Sequence, residues 1–541
     1  MMALRSLPAA LQRKIAQGQN RVALLSPRGR AALVAAIILL AFAAGALLSG
    51  LFTHSRSREL ILVLCVSLPA LLLVGEREKK CFIAAALFTA LLLTGIFTKP
   101  YATGDAPNNT QIAFNILTYS VYAAKEHSSP PAFSAYREPL LPVTILPFAA
   151  TALHEMKDIA DPLQRLKKLY THPYLKGATC LWAALLLFGI WKMGTFNNRH
   201  FIAVWLSLSF TYAYFCRDGL GNMLTEIPAA ALLVWLAWAY MNALDSGKAR
   251  WFILAGVVAA GMALTKMLFL YVFLGSSPFL ALALYWRGGQ SAGQAARALL
   301  LPVAAFGCVL GLYTALMVAA HPGISAKDVY SSSRENTVLA IRGLKNTMTP
   351  DERWGTLYVY ASRGALRSFF GFILGADEKD RLRGGRWERL SRGTDSAPNA
   401  KEGGDKWLPV EERRSYYTLS RTPEMRGRGK EMIMENLPLH LAMTPIFLYR
   451  GLFGLASGSS GLALFAYCSI AFVRSLTRKR PLDLVALWFP LAMIGAYALL
   501  SHFIPRFAEP MSPVLQTFFC VHMATWLAAR NQKRAADPIS V

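Results

Sequence analysis

Apolar blocks about as long as a bilayer is thick recur along this 541-residue chain, Ala31–Thr53 and Met223–Asn242 among them. A helix rises about 1.5 Å per residue, so roughly 20 apolar residues cross the hydrocarbon layer. Soluble cores are built from shorter apolar stripes on otherwise polar elements. Charged residues make up only 16% of the chain, against roughly 25% in soluble domains. A soluble enzyme, a disordered chain and a fibrous one are excluded. The blocks predict an all-α polytopic membrane protein with about twelve transmembrane helices, at 31–53, 59–75, 81–98, 177–193, 200–215, 223–243, 251–264, 266–286, 298–320, 459–475, 482–500 and 511–528.

The charge ledger orients them. Lys and Arg number 57 and Asp and Glu 31, a formal charge of +26, and such an excess gathers in short cytoplasmic loops. Residues 1–30 read as a basic amphipathic cytoplasmic N-terminus. The block after them is too long for a signal peptide, so it reads as an anchor. With that end inside, the basic loops at 76–80, 244–250, 287–297 and 474–481 and the tail after 528 also fall inside. Two long segments, 99–176 and 321–458, then lie outside, and both termini are cytoplasmic. The expected units are an extra helical hairpin at 31–80, a transmembrane core at 81–320 carrying the outer loop 99–176, a periplasmic segment at 321–458 with a mobile loop at 377–406, and the C-terminal helices and tail at 459–541. The seven cysteines lie in or beside apolar blocks without paired spacing, so neither a disulfide framework nor a zinc site follows.

The ionisable residues that membrane placement leaves unexplained fall at the outer ends of spans. Asp105, in Thr103-Gly104-Asp105-Ala106-Pro107, is a turn or cap residue or a general base facing a membrane cleft. Tyr136-Arg137-Glu138-Pro139 puts a solvated ion pair or a shaped re-entry to the membrane before two prolines. Glu226, in Thr225-Glu226-Ile227-Pro228, suits a helix N-terminus or a ligand equally. Lys266, in Leu264-Thr265-Lys266, either snorkels or serves function at membrane depth. His502, Arg506 and Glu509 share one short outer turn, and an Arg at a membrane rim is a ready phosphate clamp.

In this order and spacing the set resembles the GT-C superfamily of membrane glycosyltransferases, in particular the bacterial relatives of protein O-mannosyltransferases and lipid A aminoarabinose transferases. The matching pieces are Gly104-Asp105, Arg137-Glu138-Pro139, Thr225-Glu226-Ile227-Pro228, Leu264-Thr265-Lys266, and Arg506-Phe507 with Pro510 and Pro513; Glu435-Asn436-Leu437-Pro438 is similar to the approach of a late amphipathic helix. The resemblance covers roughly residues 81–528. The acidic motif is Asp-Ala here rather than Asp-Glu, which moves any second carboxylate to Glu138, and two extra spans precede the family's usual first one.

The resemblance implies a GT-C-like fold with two large outer segments and inverting transfer of a monosaccharide from a polyprenyl-phosphate donor. The acceptor is a hydroxyl of a lipid-linked glycan, lipopolysaccharide, envelope polysaccharide or protein. Asp105 matches the general base, and Arg506 and Lys266 hold the donor phosphate. Arg137 and Glu138 shape the acceptor side, and Glu226, His502 and Tyr136 are candidate sugar ligands. No nucleotide-binding motif is present, in keeping with a lipid donor. Some family members use a divalent metal, and no ligand cluster here is assigned to one. A lipid-linked glycan ligase, resting on Arg and His in 321–458 with Asp105 dispensable, is one rival. A twelve-helix transporter or flippase of a lipid-linked or anionic substrate, with ionisable groups near the bilayer midplane, is another. The triplet Asn108-Asn109-Thr110, a glycan acceptor in an ER lumen, points instead to a bacterial inner membrane.

Overall fold

A computed structural model describes residues 105–124, 131, 133–134, 137–196, 201–216, 219–330, 339–340, 342–343, 423–452, 454–456, 459–501 and 505–536, with residues 17 and 29. The expected spans at 31–53, 59–75 and 81–98 and the expected loop at 377–406 lie outside these residues. Every helix described is α or a short variant of it. In chain order they are α1 (Ala106–Tyr119), α2 (Leu140–Glu155), α3 (Pro162–Leu169), α4 (Lys176–Gly194), α5 (Phe201–Thr211, continued by a π turn, Tyr212–Cys216) and α6 (Glu226–Ser246). There follow α7 (Ala249–Ala263), α8 (Leu268–Trp286), α9 (Ala292–Ala320), α10 (Pro423–Glu435), α11 (Leu437–Leu452), α12 (Ser459–Thr477), α13 (Pro481–Leu500), α14 (Pro505–Ala508) and α15 (Ser512–Ala536).

A helix stands at each of the other nine expected spans, and among the described residues six helices are long and apolar enough to cross a membrane. These are Pro173–Gly194, Glu226–Ser246, Leu268–Trp286, Ala292–Ala320, Ser460–Thr477 and Pro481–Leu500. The protein is therefore a helical membrane protein with several spans. The expected spans at 200–215 and 251–264 form shorter apolar helices. At about 1.5 Å per residue, the 15 residues of α7 reach roughly 22 Å, short of the ~30 Å hydrocarbon layer.

Two boundaries differ from expectation. Helix α9 begins at Ala292, not 298, because Ser291 accepts from the Gln294 backbone N–H at 3.2 Å while Gln294 reaches back to the Ser291 N–H at 3.3 Å. That reciprocal capping box starts the helix inside what the basic Arg297 suggests is loop. The sequence reads as an amphipathic helix over Gln111–Ala124; helix α1 begins earlier, at Ala106, with Pro107 in the first turn where its missing N–H does no harm.

Helix α6 is the hub. It packs on α4, α7 and α13, and 72% of its most apolar window is buried, against 17% for α9; α9 accordingly leaves most of its length exposed. The core around α6 stacks Tyr240, Phe269, Phe273, Phe306 and Phe489. Helices α7 and α9 touch backbone to backbone, since a Cβ on Gly256 would collide with the Pro302 carbonyl and, at 2.8 Å, with the Ala305 side chain. Pro302 also leaves the Ala298 carbonyl without its N–H partner, and the buried Tyr240 hydroxyl donates to that oxygen at 3.5 Å.

Gly256→Leu therefore drives α7 and α9 apart and lowers the Tm in detergent by the equivalent of about 1–3 kcal/mol. Gly275→Ala serves as the control, since its added carbon meets nothing within 4 Å. Equal melting of the two variants would show that this crossing does not hold the bundle.

The turns sort into two ends. At one, Gly289 of the α8–α9 turn lies beside Lys479 of the α12–α13 turn, in company with Arg287, Arg478 and Arg480. At the other lie the starts of α1, α2 and α6, the α7–α8 junction and the short α14.

Candidate active site

Five ionisable side chains meet at this second end, each delivered by a different local device. Asp105 occupies the N-cap position of α1 but makes no side-chain cap hydrogen bond; its carboxylate turns to other groups instead. Arg137 ends the loop before α2. Its carbonyl accepts from the Tyr122 hydroxyl at 2.7 Å, and the Tyr122 phenol is kept protonated, its pKa raised well above the ordinary value chiefly by burial. The Leu140 N–H then donates to the Leu264 carbonyl at 3.1 Å, tying the start of α2 to the α7–α8 junction where Lys266 sits. Glu226 opens α6 after a bend held by Thr179, which donates to the Leu220 carbonyl at 2.7 Å, and by Asn109, which donates to the Met223 carbonyl at 2.8 Å. Arg506 rides on α14, beside the stacked Tyr497 and Phe507 rings.

These groups form one chain of ion pairs. Arg137 Nη2 donates to Asp105 Oδ1. Arg506 Nη2 donates to Asp105 Oδ2 at 2.8 Å, and its Nε donates to Glu226 Oε1 at 2.7 Å. Lys266 Nζ donates to the same Glu226 oxygen at 3.3 Å. Three cations thus face two carboxylates, and the set carries one net positive charge.

Burial grades across it. Arg137, Lys266 and Glu226 expose 4%, 5% and 6% of their side chains, while Asp105 and Arg506 expose 27% and 28%. The Asp105–Arg506 pair is the mouth and the others are the floor. Burial alone would lower the Arg506 pKa, but the Glu226 and Asp105 carboxylates reverse this and raise it, so the guanidinium is charged at any working pH. Arginine's planar fork binds carboxylate or phosphate oxygens in pairs. A low-dielectric floor strengthens whatever charge meets it. Chemically, the mouth offers an anion site and a carboxylate side by side.

No family model matches the chain, and neither does any curated protein. Among solved structures it is similar to the archaeal oligosaccharyltransferase AglB from Archaeoglobus fulgidus, in complex with an inhibitory peptide and a dolichol-phosphate. The two share 10% identity at a TM-score of 0.43, over 86% of this chain and 52% of that one. The chain spans about half the length of that structure.

Of the residues singled out from sequence, Asp105, Arg137, Glu226, Lys266 and Arg506 converge. Sequence adjacency reads Arg137 as the solvated partner of Glu138, yet it is buried and grips Asp105. Glu138 lies near enough to Tyr122 to act on its phenol. Tyr136 and His502 lie outside the described residues. Asn109 and Tyr122, which brace the cluster, were not singled out for it; the four-residue step from Asp105 to Asn109, one helical turn, is the signal for the first. The triplet Asn108-Asn109-Thr110 is helical, with Thr110 fully buried. Among the described residues no group of three or more His, Cys, Asp or Glu is placed to hold a metal ion. Nor does the cluster's donor set fit one: both Asp105 oxygens and Glu226 Oε1 already hold guanidinium or ammonium groups.

Proposed function

We propose that this chain is a GT-C-type membrane glycosyltransferase that moves a monosaccharide from a polyprenyl-phosphate donor to an acceptor hydroxyl. The observation that carries this reading is the five-residue ion cluster, with a carboxylate and a phosphate-competent guanidinium paired at its mouth. Asp105 takes the proton from the acceptor hydroxyl as that oxygen bonds to the sugar's anomeric carbon. The bond from that carbon to the phosphate oxygen breaks, and the phosphate leaves with the electron pair on the polyprenyl chain. Attack from the face opposite the phosphate inverts the anomeric centre. Arg506 and, behind it, Lys266 stabilise the charge that grows on the leaving phosphate. Glu226 fixes both cations and is the nearest acceptor for a sugar hydroxyl. Glu138 belongs to the acceptor side, where it adjoins Arg137.

In this reading residues 81–320 form the transmembrane core, 321–458 the outer segment and 459–541 the closing helices. A ligase resting on Arg and His of the late outer segment is less well supported. Of the Arg and His described there, Arg342 and His440 are buried, with Arg342 donating to the His440 carbonyl at 2.8 Å while lying over the Phe447 ring; His321 packs on Phe133, and the exposed Arg428 pairs with Glu431 and Glu435. The Arg342 contact braces α11. A transporter's midspan charges are not what the cluster offers either, since its members sit at helix ends and junctions.

In this reading the cluster faces the periplasm across a bacterial inner membrane, and the basic turns at the opposite end support that orientation under the positive-inside rule. Single cysteines at 323 and 288 in a cysteine-free background, probed with an impermeant thiol reagent, are then labelled from the outside and from the cytoplasm respectively. The reverse pattern would invert the protein and remove periplasmic chemistry. For the activity, lipid-linked glycans and surface polysaccharide are compared by mass spectrometry with and without the protein. A monosaccharide missing from one acceptor, with its polyprenyl-phosphate donor accumulating, is the expected result. Unchanged glycans together with unchanged donor pools would reject the reading.

A further inference from the structure

The cluster as it stands holds its carboxylate base in two ion pairs. Each Asp105 oxygen already accepts from a guanidinium, Oδ1 from Arg137 and Oδ2 from Arg506. Each oxygen keeps a second lone pair, but a carboxylate held by two cations is a weak proton acceptor. Releasing one of them would make it a stronger base.

The exposures say which. Of the three cations only Arg506 reaches the mouth, at 28% exposed against 4% for Arg137 and 5% for Lys266. An anion entering from outside therefore meets Arg506 first. Arg506 holds two carboxylates, and they are not equally removable. Glu226 is 6% exposed and lies on the floor, with Lys266 on the same oxygen, out of reach of an anion at the mouth. Asp105 is 27% exposed and keeps Arg137 when Arg506 leaves it. A phosphate oxygen pairs with an arginine fork at the same 2.7–2.9 Å as a carboxylate oxygen, and 2.8 Å is what Asp105 Oδ2 shows now.

We propose that the Asp105 carboxylate occupies the donor-phosphate position in the resting protein, and that an arriving phosphate displaces it from Arg506. The exchange gives Arg506 to the phosphate and takes its guanidinium off Asp105 Oδ2, while Arg137 still holds Oδ1. The base is thus relieved of one cation, and made more basic, only when the donor is seated. Donor binds before acceptor, and water at the mouth meets only the weaker base while the donor is absent. This inference rests on the glycosyltransferase reading above, which places a phosphate there.

The test is a double-mutant cycle on binding rather than turnover, using the full-length protein in nanodiscs. Undecaprenyl phosphate is the probe, with inorganic phosphate as a second arm. If Asp105 competes with the ligand for Arg506, Asp105→Asn tightens undecaprenyl phosphate binding on the order of tenfold. Arg506→Ala weakens it and also removes the gain, so that Asp105→Asn adds nothing in the Arg506→Ala background. Asp105→Ala, which carries no hydrogen-bonding group, repeats the cycle should the Asn variant fold poorly. A gain that persists without Arg506 would be plain repulsion through space and would overturn the exchange. Unchanged or weaker binding by Asp105→Asn would overturn it too, while leaving the glycosyltransferase reading intact. No undecaprenyl phosphate binding by the wild type would remove both. The same cycle with inorganic phosphate but not with the lipid would give the site to a soluble ligand and overturn the lipid assignment.

Discussion

Asp105→Asn abolishes sugar transfer while the protein stays folded and its polyprenyl-phosphate site stays occupied. Asparagine keeps the size and one oxygen acceptor of aspartate but cannot take the acceptor's proton at neutral pH. Loss of a general base costs typically 10²- to 10⁴-fold in turnover. A merely structural Asp105 predicts the opposite, because Asn serves a cap or turn equally well. The carboxylate makes no cap bond to lose in any case. Sugar transfer from a purified donor pool is measured beside donor binding, for wild type and variant. Near-normal transfer by Asp105→Asn would end the general-base assignment. A ligase working through other residues would give that same result, and a transporter would show substrate movement without transfer.

Arg506→Ala carries the second largest effect. The side chain joins the two carboxylates and is the exposed cation of the set. Loss of a charge-assisted contact to phosphate costs about 1.5–3 kcal/mol, or roughly 10- to 150-fold in kcat/KM. The loss appears as a raised donor KM, a lowered kcat or both. Asp105 retains Arg137 and Glu226 retains Lys266, so the fold survives and the effect reads on function. Arg506→Lys recovers only part, since a single ammonium cannot make the two-pronged contact. Wild-type kinetics in Arg506→Ala would take α14 out of the site.

Length and apolarity made the spans legible, because both are local properties of the chain. The α9 start was legible as well, in Ser291 and Gln294, but a charge at Arg297 argued louder for a loop. Which charges meet was not legible in any local pattern. Arg506 lies 280 residues from Glu226 and 401 from Asp105, and no helical or strand period connects such separations. Sequence reasoning found the members by a weaker route, asking which ionisable residues the membrane leaves unexplained. It placed Arg137 in the site but weighed Glu138, its chain neighbour, as the partner, and the pairing with Asp105 32 residues away has no local pattern to show it. The bend before Glu226, held by Thr179 and Asn109, had no signature beyond its glycines.

Those separations also set a timetable for biosynthesis. At roughly 5–20 residues per second, the ribosome makes Arg506 some 14 to 56 s after Glu226, and about 20 to 80 s after Asp105. Lys266 follows Glu226 by 40 residues, so the nascent chain gains one counter-ion early, within a few seconds. Asp105 meets Arg137 on a similar schedule, 32 residues on. Two neutral pairs therefore wait in the bilayer for the guanidinium that joins them and arrives with the last hairpin. A chain stalled or cut before α14 keeps the two halves unjoined, and becomes a natural substrate for membrane proteases.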